Sequence, residues 1–370
     1  MNANICLVTG IYPPDIGGPA KFAESFALWN TSSNQNTINL SYTSGPSLDS
    51  VNLNNRVILI SRKYNIFSRY LRMIIQILRI SNKKYKILAN GCFVEVYLAS
   101  LISKSPYTLK IPGDIVWEHA TNNLITDSNI MDFQSQKFGL KYSLFRFIFN
   151  KSLQRAKKVI VPSNQLRELC LIWGVQPTRI ELVNNSISLE VFNDRKFKKR
   201  DIDVLTVTRL VSWKNVNRII EVCSNLSLSL YIVGDGPEMT SLANLSKELG
   251  AKVVFCGALP QRDLPAIYGR AKIFVLNSTF EATSYSLLEA RASGCLSIAN
   301  LGTGSEQVIN HEVDGLLADP NDGHSLQKLI EFCLENPEKV ESMINIAQRR
   351  IASEFNAEIN FKKIFEISSL

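Results

Sequence analysis

Short apolar runs, each released into a polar loop and then into a stretch with helical spacing, recur along almost the whole chain. Residues 5–9, 38–42, 57–60, 86–89, 107–111, 159–161 and 180–183 form one series. Residues 204–208, 230–233, 253–255, 273–276, 295–299 and 315–317 form a second. Buried runs this short, alternating with helices, predict parallel sheets covered on both faces. The charged, apolar-poor segment DRKFKKR, residues 194–200, separates the two series and is the predicted linker. A chain of 370 residues exceeds one comfortable core, so two α/β domains are expected. They are successive units rather than copies at a short period, so no solenoid is predicted.

Composition narrows the function classes. The seven cysteines are scattered, with no C-x-x-C clip, and read as small buried residues of a reducing cytoplasm. The start, MNANICLVTG, lacks the basic flank and long apolar core of a signal peptide. No apolar run reaches the roughly eighteen residues needed to cross a bilayer. Charge is uneven: residues 1–200 carry 26 Lys+Arg against 12 Asp+Glu, and residues 201–370 carry 15 against 21. A basic first half suits an anionic partner, with nucleic acid and a phospholipid surface as candidates, or simply a solvated basic face. No RNA- or DNA-reading motif is present, which turns the expectation away from nucleic acid. Residues 68–80, SRYLRMIIQILRI, place Arg69, Arg72, Gln76 and Arg79 three or four apart on an otherwise apolar helix. Such a helix is either buried or interfacial, with its arginines toward headgroups. Residues 137–158 predict a second basic helix, rich in aromatics. Residues 31–55 are rich in Ser and Asn and predict only the strand at 38–42.

The stretch NSTFEATSYSLLEARASG, residues 277–294, follows an apolar run and has a helical pattern, with Ser278 or Thr279 as a candidate start. Glu281 and Glu289 lie eight apart. The spacing lets both carboxylates face a crevice at the carboxyl end of a sheet, where open α/β sheets bind ligands. Free N–H groups and the helix dipole would favour an anion between them. A sugar–diphosphate–ribose ligand suits two hydroxyl-accepting acids around an anion site; a solvent-facing loop acid and a dipole-stabilised helix acid fit the same spacing. Arg209 and Lys214, five apart directly after a strand, offer a fork and a compact positive charge to phosphate oxygens. Asp201-Ile202-Asp203 spells D-x-D, but it precedes its strand and reads as chance. His119, His311 and His324 show no ligand spacing, so no metal and no cofactor are expected.

GIYPPDIGGPAKF, NNSISLEVF, TRLVSWKN, IVGDGPE, FCGALP, the Glu281/Glu289 pair and GTGSEQVIN…VDGLLADPND occur in that order. Together they resemble a GT-B glycosyltransferase of the retaining family 4 type, over most of the chain to about Asp322. The resemblance implies two Rossmann-like domains facing across a cleft. Residues 1–195 would bind the acceptor, with 354–370 crossing back to them, and 200–353 would hold a nucleotide sugar. It implies that Arg209 and Lys214 grip the diphosphate. Glu289 would accept from ribose hydroxyls and Glu281 from the donor sugar. Thr283, Ser284 and Tyr285 would face the phosphates, approached by Gly17 and Gly18 from the first domain. Gly234 and Asp235 would line the cleft, and Ala258 and Leu259 would border the base. Family members often read Glu-Gly-Phe-Gly where this chain has Glu281-Ala282-Thr283-Ser284. Many also carry a His where a strand here ends KIPGD; Asp114 or the Gly113 backbone stands nearest, with Asp114 or Glu118 as the sugar or acceptor contact. The expected activity is retaining transfer without a metal, from a nucleotide sugar to a saccharide or lipid-linked acceptor for a surface polysaccharide, by a cytoplasmic protein peripheral on an anionic membrane. A nucleotide-sugar epimerase of the same fold, or a non-catalytic membrane-surface protein, are the alternatives.

Overall fold

The computed structural model describes residues 4–13, 15, 17–33, 35–52, 55–83, 85–192 and 200–370. Pro14, Ile16, Lys84 and all of the predicted linker except Arg200 lie outside the described residues. The chain divides into two compact units, Met1–Asn184 with Glu358–Leu370, and Asn185–Ala357.

The boundary falls earlier than the expected 195. The NH of Ile187 donates to the Phe355 carbonyl at 3.0 Å, and both side chains, with Phe192, are buried in the second core. Burial of Phe355 likewise keeps residues 354–357 in the second unit, so the return begins at Glu358 rather than at 354.

The first unit is built on β1 (Ile5–Thr9), β2 (Thr37–Thr43), β3 (Leu48–Asn52), β4 (Asn55–Ser61), β5 (Lys86–Asn90), β6 (Tyr107–Lys110), β7 (Lys158–Val161) and β8 (Ile180–Leu182). Their order is β3-β4-β2-β1-β5-β6-β7-β8. All neighbours are parallel except β3 and β4. Strand β3, unexpected in the Ser- and Asn-rich stretch, is an edge hairpin partner, where polar composition is tolerated because one side needs no neighbour. The chain order reverses between β1 and β5. There the Gly91 backbone packs so close to Gly10 that a Cβ would lie 2.8 Å from its nitrogen.

The last helix, Ala357–Ser369, carries Phe361, whose ring meets Phe22, Phe26 and Trp29 of helix Gly18–Ser32 edge-on at 5.6–6.3 Å. Helix Ile66–Ser81 buries Met73, Ile77 and Ile80 but leaves Ile66, Phe67, Leu71 and Ile75 exposed, so it is a core helix on one face only. Among the described residues, no helix is long and apolar enough to cross a membrane.

Lys110, at the carboxyl end of β6, is 2 % exposed, with its ammonium 4.7 Å from the Phe22 ring centre. Burial lowers its pKa from 10.5 to about 7. The unfolded chain therefore binds this proton more readily than the folded one between those values, and stability rises with pH across that window. The measurement is urea unfolding at several pH values from 7 to 10. The wild-type midpoint should climb, and Lys110→Met should show a shallower slope.

The second unit contains β9 (Ile202–Val207), β10 (Leu230–Val233), β11 (Val253–Gly257), β12 (Ala271–Leu276), β13 (Leu296–Asn300) and β14 (Leu316–Ala318). All are parallel, in the order β11-β10-β9-β12-β13-β14. After β9 the chain builds outward to β11, then returns to lay β12 on the other side of β9. The β9/β12 junction is thus the switch point, where carboxyl-end loops part and leave a crevice.

Candidate active site

Two loops leave the carboxyl ends of β9 and β12 at that junction. The first, Thr208 to Asn215, is fixed by the loop after β10. The Thr208 NH donates to the Val233 carbonyl and the Leu210 NH to the Asp235 carbonyl, both at 3.0 Å. Gly234 makes this possible: its φ is +138°, and a Cβ there would run into the Thr208 carbonyl. The loop then closes with a 3-10 turn, Ser212–Lys214, and Asn215 in the left-handed region at φ 46°. Asn tolerates that conformation, so the chain turns directly into helix Val216–Asn225. The result pins the backbone of Arg209 and Lys214 at the switch point. The Arg209 guanidinium is exposed and makes no hydrogen bond or ion pair with the described residues.

The second loop carries Glu281. Its Oε1 accepts from the Lys214 ammonium and from Ser278 Oγ at 2.8 Å, with both ion-pair side chains 15 % exposed or less. Helix Tyr285–Ala292 starts later than Ser278 or Thr279, because the intervening backbone is already engaged. The Thr279 NH donates to the Trp213 carbonyl at 2.9 Å, and the Gly304 NH to the Glu281 carbonyl at 2.8 Å. Gly304 permits that approach, since a Cβ would strike the Glu281 and Ala282 carbonyls. Ala282, Thr283 and Ser284 all lie outside the positive-φ region, so this loop does not require the family's glycines.

Ser284 sits at the N-cap without a side-chain cap bond, and the first turn holds no acid. Its Oγ pairs instead with Ser286 Oγ at 2.9 Å. The helix tip therefore keeps its partial positive charge for an anion. Thr283 is buried and its carbonyl is held by Asn185 at 3.0 Å. Tyr285 is half-buried, and desolvation raises its phenol pKa.

Glu289 lies deeper than the spacing suggested. It is 1 % exposed, with Oε1 accepting from Gln261 Nε2 and Oε2 from the buried Tyr268 hydroxyl, both at 3.0 Å. Gln261 itself is exposed, in the short turn that follows Ala258 and Leu259. Asp235 is exposed and accepts from the Gly236 NH at 2.7 Å. The structure thus joins Lys214 to Glu281 directly, sets Arg209 on the same loop as Lys214, and places Glu289 behind Gln261. Ser278, Gln261 and Tyr268 are site residues that pattern reading missed.

In the first unit, Gly17 and Gly18 open helix Gly18–Ser32, which also lacks a side-chain cap. Asp114 departs from its expected role. It is 0 % exposed and caps helix Ile115–Asn122, with Oδ1 accepting from the NH groups of Val116 and Trp117 at 3.0 and 3.2 Å. Its Oδ2 accepts from Arg146 at 2.6 Å and Gln134 at 3.1 Å. Four donors consume the carboxylate and leave it no open face for a sugar. Losing a cap and a buried ion pair together should cost about 3–5 kcal/mol. Urea unfolding of Asp114→Ala should show that loss, while nucleotide-sugar binding stays at the wild-type level.

The D-x-D acids are likewise occupied. Asp201 forks with Arg270 at 2.9 and 2.7 Å, and Asp203 pairs with Lys272 at 2.7 Å. Among the described residues, no cluster of three His, Cys, Asp or Glu could hold a metal ion.

The loops at the switch point of this parallel sheet thus carry Arg209, the Lys214–Glu281 pair and, beyond them, the uncapped tip of helix Tyr285–Ala292. Residues 189–350, rather less than half of the chain, match the family described as Glycosyl transferases group 1. The GDP-mannose-dependent alpha-mannosyltransferase of Corynebacterium glutamicum is 32 % identical over 146 residues, 40 % of this chain and 34 % of that one. The amylovoran biosynthesis glycosyltransferase AmsK of Erwinia amylovora is 26 % identical over 229 residues, 57 % of this chain and 56 % of that one. The match thus spans about a third to just over half the length of these relatives. Anabaena HepE, solved with UDP and glucose, superposes with a TM-score of 0.78 at 18 % identity, over 100 % of both chains. The fold is GT-B, as two parallel-sheet α/β domains.

Proposed function

We propose that this chain is a retaining glycosyltransferase of the family 4 type, which moves a sugar from a nucleotide-diphosphate sugar to a hydroxyl acceptor. The observation that carries the reading is the switch-point loop pair: Arg209 uncommitted, Lys214 held by Glu281, and an uncapped helix tip beyond them. The departing diphosphate gains negative charge, and Arg209, Lys214 and the tip of helix Tyr285–Ala292 would stabilise it. No metal is needed for that step. The acceptor hydroxyl attacks from the face the diphosphate leaves, and a phosphate oxygen takes its proton. Glu281 and Glu289 would accept from sugar and ribose hydroxyls. The acceptor belongs to surface polysaccharide or lipid-linked saccharide assembly; AmsK is named for amylovoran biosynthesis.

The protein would work at the cytoplasmic face of an anionic membrane. Helix Ile66–Ser81 exposes Phe67 to 76 %, and helix Leu140–Arg155 exposes Leu140 and Phe147 beside Lys141 and Lys151. Apolar tips among cations suit an interfacial site.

A thermal-shift panel of nucleotide sugars tests the donor reading: at least one should raise the melting temperature, and none doing so would refute it. NMR of the product anomer tests retention. Flotation with anionic vesicles tests the membrane reading, and salt-insensitive or absent binding would remove it.

A further inference from the structure

Helix Ile66–Ser81 does not close down on the outer edge of the first sheet. Between it and β3–β4 lie two cavities of about 460 and 540 Å³, which share Asp49, Ile58, Gln76 and Arg79 as lining residues. They form one groove along β4, whose seven residues span roughly 23 Å.

The two ends differ in chemistry. Near the amino end of β4, Arg79, Lys83, Gln76 and Tyr85 face the space. Asp49, the acid lining this end, is taken by Arg56, whose Nε donates to Oδ1 at 2.7 Å. Arg79 and Lys83 meet no acid among the described residues. Toward the carboxyl end Leu48, Ile60, Leu71 and Ile75 join the walls, beside Ser68 and Arg72, whose guanidinium lies 4.2 Å from the Tyr64 ring centre. A cationic seat without a paired acid, running into a trough lined in part by aliphatic side chains, is complementary to a molecule with one anionic head and one hydrocarbon chain. The planar fork of Arg79 matches phosphate oxygens, and Lys83 adds a point charge. The trough would shield the first methylenes from water.

We propose that this groove holds a single-chain lipid phosphate, its phosphate on Arg79 and Lys83 and its chain along Ile75 and Leu71. The head end lies at the amino end of β4, whereas the loop with Gly17 and Gly18 leaves the carboxyl end of β1, which runs in the same direction. The ligand is therefore a tether rather than the molecule being glycosylated, a reading that goes beyond the transferase assignment.

The test uses the full chain and farnesyl phosphate in calorimetry, with inorganic phosphate and farnesol as separate arms. Farnesyl phosphate should bind at least tenfold more tightly than either part alone. Arg79→Ala and Ile75→Gln should each weaken it about tenfold, without changing the far-UV circular dichroism or the thermal shift given by nucleotide sugars. Both positions are solvent-exposed, and Leu71→Gln replaces Ile75→Gln if the latter misfolds. Wild-type affinity in the variants overturns the proposal. So does an absence of farnesyl phosphate binding with vesicle flotation intact, which would mean adsorption to the bilayer surface alone. Farnesyl phosphate binding without any nucleotide-sugar binding would uphold the groove and refute the transferase reading, and the converse result would do the opposite.

Discussion

Arg209→Ala and Lys214→Ala should each lower turnover of the nucleotide sugar by roughly a hundredfold or more. The two variants should differ in every other respect. Arg209 is exposed and its guanidinium makes no hydrogen bond or ion pair with the described residues, so its removal should leave stability within about 0.5 kcal/mol of wild type. A large fall in rate with an unchanged melting curve would mark a residue that acts on the ligand alone. Lys214 also neutralises Glu281, which is 9 % exposed, so its loss strands a carboxylate in a sheltered site. Lys214→Ala should therefore lose stability as well as rate, and removing the acid too, in Lys214→Ala/Glu281→Ala, should restore part of the stability but none of the rate. Steady-state kinetics beside urea unfolding would separate these outcomes. Near-wild-type turnover in either single variant would end their assignment to the diphosphate.

The second large effect is expected at residues to which no ligand contact is assigned. Asp314 is 1 % exposed and lies between two arginines. Arg291, wholly buried on helix Tyr285–Ala292, donates Nη1 to its carbonyl at 2.6 Å and sets Nη2 3.0 Å from Oδ2. Arg350, on helix Pro337–Glu354, reaches the same Oδ2 at 3.1 Å. Burial lowers the Arg291 pKa to about 10, with Asp314 opposing that shift. Among the described residues the Arg291 Nε has no hydrogen-bond partner, so Asp314, more than the neighbouring Glu354, carries its compensation. Asp314→Ala should cost about 3–5 kcal/mol by leaving a buried charge alone. The double variant Arg291→Met/Asp314→Leu should recover much of that loss, because an apolar pair of similar volume carries no desolvation cost. Urea unfolding of both variants would show it, and an Asp314→Ala midpoint equal to wild type would contradict the account. The helix under test is the one that presents Glu289 and the anion-facing tip, so seating and site are coupled through it.

The second sheet's plan could be read from the chain. Apolar runs mark its strands, and the switch-point loops lie where TRLVSWKN and the Glu281 segment leave them. The depth of Glu289 could not, because Tyr268 and Gln261 stand 21 and 28 residues away and reach it only through the fold. The late helix start at Tyr285 has a similar origin: Trp213 and Gly304, distant in sequence, capture the backbone that a local pattern would place in the helix. Asp114 is a different case. An acid directly before the apolar run Ile115-Val116-Trp117 is an N-cap signal visible in the sequence alone, and it outweighs the missing family histidine. Strand β3 escaped because an edge strand need not be apolar.

The Lys214–Glu281 bond makes the switch-point loops a small ion exchanger. Where a diphosphate draws the Lys214 ammonium away, the Glu281 Oε1 keeps the Ser278 hydroxyl as a donor and gains room for one more. Under the proposed function, a hydroxyl of the donor hexose would take that place. Selectivity for loaded donor over spent product would thus follow from a swap of counter-ions, without any loop having to move.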